Sequence, residues 1–456
     1  MQNLPYDRQL LHKQSVVKRL CGKFGKVNKI IGMENPYHYR NKVQAAFGQD
    51  RRGNIISGVY QSGSHRIVSV DSCQLEDKIA DEIIVFIRKL MPSFHMNAYN
   101  PYTKKGFLRH ILVKRGFTTN EIMVVLVTGN PTFPGKNNFI KALLKQFPAI
   151  TTIIQNINNG PTSLVLGKQE KVLFGKGYIT DELCGMRFRI SAASFYQINP
   201  VQTEVLYDLA IKAAELTPTA TLLDAYCGVG TIGLAASPHC GFVTGVELNP
   251  DAVKDAIANA KENGVKNARF VCGDAGEFME ELARNGEQVD VVMMDPPRAG
   301  SSKKFIDSLC TLAPKRVVYV SCNPETLARD LHYLTQGGYT VKSITPVDMF
   351  PHTSHVETVV LLSQRRPDTH IDIKLDLSEL DITSAETKAT YQEIKDYVLD
   401  KHGLKVSSLY ISQVKAKCGI IERENYNKGK EGHRVPKCPK EKEEAIMDAL
   451  KHFNMI

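Results

Sequence analysis

Between residues 186 and 366 the chain repeats one pattern, a short apolar run, a turn and a helical segment. The runs read TLLDAY, FVTGVEL, ARFVCGD, VDVVMMD, RVVYVSC and TVKSITPVD, with ETVVLLS last, and a helix-forming stretch, VQTEVLYDLAIKAAEL, precedes them. Strands that alternate with helices need crossover connections, so the pattern implies βαβ units and a mostly parallel sheet. Ligands of such sheets lie outside the carboxyl ends of the strands. The chemically distinctive residues of this chain fall at those ends.

At 456 residues the chain is long enough for two to four domains. Residues 5–20 read as a basic amphipathic helix with Leu10, Leu11, Val16, Val17 and Leu20 on its apolar face. Residues 36–75 alternate as strands punctuated by glycine, and helices and strands mix from there to about 185. The expected architecture is therefore α/β. A basic N-terminal segment (1–29) leads into an α+β central domain (30–185) that faces the substrate, and a Rossmann-like domain (186–366) follows. A polar linker (367–390) and a small helical module (391–456) complete the chain.

Charge narrows the partners. Residues 1–60 hold 11 Lys/Arg against 3 Asp/Glu, a block suited to a polyanion because phosphate contacts release condensed counterions. The module from Tyr391 onward holds 13 basic against 10 acidic residues, so charge does not decide its role. No apolar run approaches the roughly 18 residues needed to cross a bilayer, and the N-terminus lacks a signal-peptide pattern. A cytoplasmic monomer without membrane contact is expected. The ten cysteines are scattered with no C-x-x-C, so no metal site is expected from them.

LLDAYCGVGTIGLA (222–235) reads as strand, glycine-rich turn and helix start. Gly228, Gly230 and Gly233 match G-x-G-x-x-G, a pattern that dinucleotide dehydrogenases share. Two features favour S-adenosylmethionine over a dinucleotide. Asp224 stands where a pyrophosphate would be repelled and the amino group of S-adenosylmethionine welcomed, and the fourth strand ends in Asp-Pro-Pro-Arg, which a dehydrogenase does not need. Glu247, 23 residues past Asp224, ends the next strand and suits a ribose diol. Asp274 ends the third strand, where an adenine edge would lie.

Three segments complete the constellation: MMDPPRAG (293–300), VVYVSCNPETLARDL (317–331) and MFPHTSHVETVVLL (349–362). They fit methylation of a pyrimidine carbon. C5 of uracil has no lone pair, whereas C6 is the electrophilic end of an enone. A thiolate adding at C6 makes C5 nucleophilic toward a methyl sulfonium, and a base then removes the C5 proton. Cys322, at a strand end before Asn-Pro, is the candidate thiolate. Glu357, an acid at the start of an apolar strand, is the candidate base, since an acid there is costly unless paired or solvated. Asp295 is placed to bond the uracil edge or the cofactor. Arg298 occupies the position where enzymes acting on exocyclic amines carry an aromatic ring, which argues against an amine target and for a charge contact. His352 and His355 suit packing or the holding of the base. The target base must be single-stranded or flipped to expose its ring. Phe195 and Tyr196 suit either stacking on it or core packing.

Together these segments resemble the bacterial RNA uracil-C5-methyltransferase family, whose members act on 23S ribosomal RNA or on the T-loop of tRNA. The resemblance covers about residues 5–365. FYQINP (195–200) is similar to the family's F-x-Q-x-N and implies cofactor contact by Gln197. DAYCGVG carries that role to Tyr226 and the adjoining Gly228, and the same role carries to Glu247 and Asp295. SCNP implies that Cys322 is the nucleophile, and H-x-E implies that Glu357 accepts the proton. FPHTSHVE and YRNKVQAAFG…VDSCQLED are closer to the rRNA branch. That branch usually carries an N-terminal RNA-binding barrel and four cysteines around a 4Fe–4S cluster. Here only Cys73 matches a cluster ligand, so no iron–sulfur cluster is expected, and RNA selection is expected from the basic N-terminal segment and the central domain. The alternatives are a tRNA T-loop methyltransferase, an RNA-binding protein that has lost catalysis, and a nicotinamide-dependent dehydrogenase.

Overall fold

A computed structural model describes residues 1–160, 164–365, 390–418, 437–453 and 455–456. The chain divides into two compact units, Met1–Pro367 and Asp368–Ile456. The expected linker lies outside the described residues apart from Thr390.

The first unit opens with helix α1 (Tyr6–Cys21), followed by strands β1 (Lys42–Gln49), β2 (Ile55–Tyr60) and β3 (Ile67–Ser69). Helix α2 (Lys78–Leu90), strands β4 (Leu108–Arg115) and β5 (Ile122–Thr128), helix α3 (Lys136–Gln146), and strands β6 (Ile150–Ile157) and β7 (Gln169–Phe174) complete a sheet of order β3-β2-β1-β4-β5-β6-β7. Its pairs are antiparallel except β5–β6. Every residue of β5 is buried because both faces of the sheet are covered. Ile122, Val124 and Leu126 pack with Ile83 and Ile87 of α2 and Phe139 and Leu143 of α3. Met123, Val125 and Val127 point the other way, into a core that continues into the second sheet.

A hairpin, β8 (Ile179–Leu183) and β9 (Met186–Ile190), and helix α4 (Pro200–Ala214) lead into that second sheet. Its elements are β10 (Thr221–Ala225), α5 (Thr231–Ala236), β11 (Phe242–Glu247), α6 (Pro250–Glu262), β12 (Ala268–Cys272), α7 (Ala275–Arg284), β13 (Val291–Met294), α8 (Lys303–Leu312), β14 (Arg316–Ser321), α9 (Pro324–Gln336), β15 (Tyr339–Val347) and β16 (Glu357–Gln364). The strand order is β12-β11-β10-β13-β14-β16-β15. The first five run parallel, as the alternating pattern implies, and β16 returns antiparallel between β14 and β15.

The N-terminal helix follows its sequence reading in part: Val17 is buried and Leu10 and Leu20 pack against the core, but polar residues share the seam. The fully buried seam of α1 is Gln9, Lys13, Val17 and Cys21, while Leu11 is 59% exposed. The seam tolerates polar residues because each is satisfied. Gln9 Nε2 lies 3.0 Å from His352 Nδ1, and Lys13 Nζ lies 2.6 Å from Asp348 Oδ1. Beyond the helix, Asn28 N donates to Ile344 O (2.8 Å) and Ile31 N to Pro346 O (3.0 Å). The segment thus covers the otherwise open edge of β15.

The second unit contains α10 (Tyr391–His402), α11 (Ser408–Lys417) and α12 (Lys440–His452), packed around Ile394, Val398, Ile411, Val414, Ile446 and Leu450. A Thr390–Glu393 capping box starts α10. Among the described residues, no helix is long and apolar enough to cross a membrane.

Candidate active site

The apolar interiors of β10, β11, β13 and β14 bury those strands and leave polar residues at or just past their carboxyl ends. Asp224 is the penultimate residue of β10. Its carboxylate accepts from Gly233 N at 2.8 Å, tying the strand to the start of α5. That approach requires glycine, since a Cβ at position 233 would lie 2.8 Å from Asp224 Oδ2. Glu247 ends β11 and accepts from Gly228 N (3.1 Å) and Asn249 N (2.8 Å), so it fixes the glycine turn from the neighbouring strand. Tyr226 holds φ +65°, which turns the chain into the loop, and its ring lies 5.0 Å from that of Phe305.

Asp295 follows β13 directly, and Cys322 follows β14. The turn after Cys322 clamps the Asp-Pro-Pro-Arg turn, as Asn323 Nδ2 donates to Arg298 O at 3.2 Å and Thr326 Oγ1 to the same oxygen at 3.3 Å. Strand β16 pairs antiparallel with β14 in a register that sets Ser321 opposite Thr358. Continued by one residue, that register sets its first residue, Glu357, across from Cys322, and the carboxylate is near enough to raise the pKa of the thiol. Arg298 Nη2 donates to His355 Nδ1 at 3.1 Å.

The loop 191–199 closes another wall, and the first sheet holds it. Lys114 Nζ donates to Ser191 O (2.7 Å) and Ser194 O (2.8 Å), and Asn41 Nδ2 to Gln197 O (3.0 Å). Asn199 caps α4 and donates to Met349 O at 2.9 Å.

These elements enclose a cavity of about 630 Å³, a size usual for a small-molecule site. It brings together Phe195, Gln197, Asp224, Tyr226, Gly228, Glu247, Asp295, Arg298, Cys322, His355 and Glu357. Two of the sequence candidates are not in its wall. Asp274 caps α7, accepting from Gly276 N (2.8 Å) and Glu277 N (3.0 Å). His352 turns away at φ +65°, stacks on Tyr37 at 4.8 Å, meets Gln9 Nε2 at its ring Nδ1 and donates its backbone N–H to Gln9 Oε1. It anchors α1, and His355 takes the cavity position. The two aromatic candidates separate. Phe195 is 63% exposed at the cavity, and Tyr196, though its edge reaches the wall, is buried in the core. Sequence reading missed Tyr207, which lines the cavity and bonds Thr231 at 2.9 Å. It also missed the supports Lys114 and Asn41. Tyr207 had no signal beyond helix periodicity.

The cavity is short of positive charge. Burial pushes Asp224 and Asp295 up to about 7. Burial, and then the neighbouring Asp295, raise Glu357 well above the usual carboxylate range, opposed by Arg298. Burial, then Glu357 and Asp295, push the Cys322 thiol up to about 11, again opposed by Arg298. A cationic ligand would relieve all four groups, and a pyrophosphate would worsen them. The donor set therefore fits a sulfonium-bearing amino acid nucleoside and does not fit a dinucleotide.

The tRNA (Uracil-5-)-methyltransferase family model matches residues 5–365. An uncharacterized RNA methyltransferase of Oceanobacillus iheyensis is 44% identical over 369 residues, 80% of each chain. Another, from Clostridium acetobutylicum, is 43% identical over 371 residues, again 80% of each chain. Among solved structures, the tRNA (uracil-54, C5)-methyltransferase of Pyrococcus abyssi, in complex with S-adenosyl-L-homocysteine, superposes with a TM-score of 0.67 at 30% identity. That match covers 79% of this chain and 84% of the other.

Proposed function

This chain belongs to the tRNA (uracil-5-)-methyltransferase family and is an S-adenosylmethionine-dependent RNA methyltransferase, and on that premise we propose that it methylates C5 of a uridine in 23S rRNA through a covalent Cys322 adduct. The observation that carries the proposal is the placement of Cys322 and Glu357 opposite each other in the cavity that also holds Asp224, Glu247 and Asp295.

When bound, the cofactor supplies an electrophilic methyl group and a positive charge. Glu247 suits its ribose diol, Asp224 and Gln197 its amino-acid end, and Tyr226 and Gly228 the wall beside it. The charge favours the ionised forms of Cys322, Asp295 and Glu357 together. Cys322, its proton lost to solvent, adds through Sγ to C6 of a flipped uracil, and the C5–C6 electron pair moves onto C5 and O4. With the cofactor bound, C5 would form its bond to the methyl carbon as the methyl–sulfur bond breaks and its electron pair returns to sulfur, leaving the neutral thioether. Glu357 takes the proton from C5, the C5–C6 double bond returns, and Sγ leaves as thiolate. Arg298 opposes the rise in the Glu357 pKa and so favours the ionised form that this step needs, and exposed Phe195 offers a ring on which the flipped base stacks.

The resemblance of FPHTSHVE and YRNKVQAAFG to the rRNA branch supports 23S rRNA as substrate. The second reading, a tRNA T-loop uridine, is favoured by the Pyrococcus abyssi relative. Methyl incorporation into naked 23S rRNA compared with bulk tRNA separates the two. RNA carrying 5-fluorouridine tests the chemistry, because fluorine cannot leave as a proton. A covalent protein–RNA band that Cys322→Ala abolishes is expected, and a band that survives Cys322→Ala would exclude this nucleophile.

A further inference from the structure

A second concavity, of about 760 Å³, lies on the first sheet, away from the catalytic cavity. Three connections build it: the turn between β1 and β2, the turn between β2 and β3, and the loop before β4. Two of its aromatic groups are open, Tyr60 at 42% and Tyr102 at 79% exposed, while Phe47 and Tyr99 form its buried floor. The His65 ring stands edge-on to both, at 5.9 and 6.1 Å. Arg51, Arg52 and Arg66 line it, and Lys104 and Lys105 stand exposed on the same loop as Tyr102. None of these five cations has an ion-pair partner among the described residues, whereas Lys212, Lys254 and Lys303 each sit beside an acid about one helical turn away. The one acid in the lining, Asp50, is committed to its own turn, accepting from Arg52 N (2.8 Å), Asn54 N (2.9 Å) and Asn54 Nδ2 (3.0 Å).

Exposed rings set among unpaired cations are the two components of a single-strand nucleic-acid site, since rings stack on bases and cations follow the phosphates. We propose that this groove holds a single-stranded RNA segment flanking the target uridine, an inference that rests on the RNA-methyltransferase reading above. The sheet sets the spacing. Asn41, which holds the Gln197 carbonyl at the catalytic cavity, directly precedes β1 and lies six residues before Phe47 of that strand, which lines the groove. At about 3.3 Å per residue the two sites are roughly 20 Å apart. At about 3.4 Å per stacked nucleotide, that is about six nucleotides from the target.

The test measures binding of the full chain to mixed-sequence single-stranded RNA with a central uridine, 5 or 20 nucleotides long, by fluorescence anisotropy. Tyr102→Ala should weaken the 20-mer about tenfold and leave the 5-mer unchanged, and Tyr102→Phe should restore it. Arg51→Ala/Arg52→Ala/Arg66→Ala should reduce the slope of log affinity against log salt by about 2 for the 20-mer. Lys136→Ala/Lys141→Ala/Lys145→Ala on α3 removes equal charge elsewhere and should change little. An unaffected Tyr102→Ala variant, an equal loss in the α3 variant, or equally tight binding of a 20-base-pair duplex would overturn the groove. Adduct formation on a 5-fluorouridine 5-mer reads the chemistry separately. Its failure in the parent enzyme alongside a selective groove effect would refute the catalytic reading and spare the groove.

Discussion

Lys13→Met probes whether the N-terminal helix is structurally part of the catalytic unit. The Lys13 ammonium and Asp348 carboxylate meet at 2.6 Å with neither side chain exposed, and Lys13 Nζ also donates to Phe350 O at 2.9 Å. Burial lowers the lysine pKa, and Asp348 opposes that shift. Removing the ammonium leaves a buried carboxylate whose other oxygen, Oδ2, already lacks a hydrogen-bond partner among the described residues. Breaking such a pair from one side costs about 3–5 kcal/mol, a large share of a typical total of about 5–15 kcal/mol. The loss should appear as a lower urea midpoint and as faster amide exchange in α1 and β15. Lys13→Met/Asp348→Leu removes both charges and should return to within about 2 kcal/mol of the parent. A Lys13→Met variant within about 0.5 kcal/mol of the parent would place it among ordinary surface changes and refute the reasoning. So would a double variant that loses as much as the two single variants combined.

Gly233→Ala would press a Cβ to 2.8 Å from Asp224 Oδ2 and 3.1 Å from Val243 Cγ1, so a loss of about 1–3 kcal/mol in thermal stability is expected, with weaker S-adenosylmethionine binding by calorimetry. Lys114→Met removes the two bonds that hold Ser191 O and Ser194 O and should raise the KM for the cofactor more than it lowers kcat, measured by methyl incorporation. Asp224 and Asp295 rise from 3.8 to about 7, so between about pH 4 and 7 the ligand-free folded state keeps protons that the unfolded chain has released. Its stability therefore falls as pH rises through that window. A cationic cofactor favours the ionised carboxylates, so its Tm shift at saturation should be larger at pH 8 than at pH 6, and a shift that shrinks with pH would contradict the assignment.

Strand ends were readable in the sequence because chemical residue types there interrupt apolar runs: Asp224 and Glu247 inside their strands, Asp295 and Cys322 just after them. Irregular loops were not. His352 and His355 stand three residues apart in one turn, and the partners that hold His352 away from the cavity, Gln9 and Tyr37, lie more than 300 residues earlier in the chain. Asp274 looked equivalent to Glu247 as the acid after a strand, yet Glu277 three residues on is a helix-start signal, and the residue serves as a cap. The apolar face assigned to α1 holds at Leu10, Val17 and Leu20 but not at Leu11. Lys13 joins the buried seam because of Asp348, 335 residues away, which no local window contains.

Two thiols line the catalytic cavity, and their surroundings are unequal. Cys227 lies 5% exposed on the glycine loop. Burial raises its pKa far above that of a free thiol, Asp224 and Glu247 raise it further, and no cation offsets them. Its ionisation would set a third negative charge beside two carboxylates, Asp224 and Glu247, that suit the cofactor's amino group and ribose diol. Cys322 carries a smaller burden, its pKa pushed to about 11 with Arg298 acting in the opposite direction. It also stands across from Glu357, where a C5 proton would be taken, whereas Cys227 sits over the strand that ends in Glu247. The same carboxylates that disfavour a thiolate make the cavity complementary to a sulfonium. Ionisation of Cys322 is therefore coupled to cofactor occupancy, and a thiol alkylator should modify Cys322 faster when a sulfonium analogue that leaves the base pocket open is bound than when the neutral thioether product is bound.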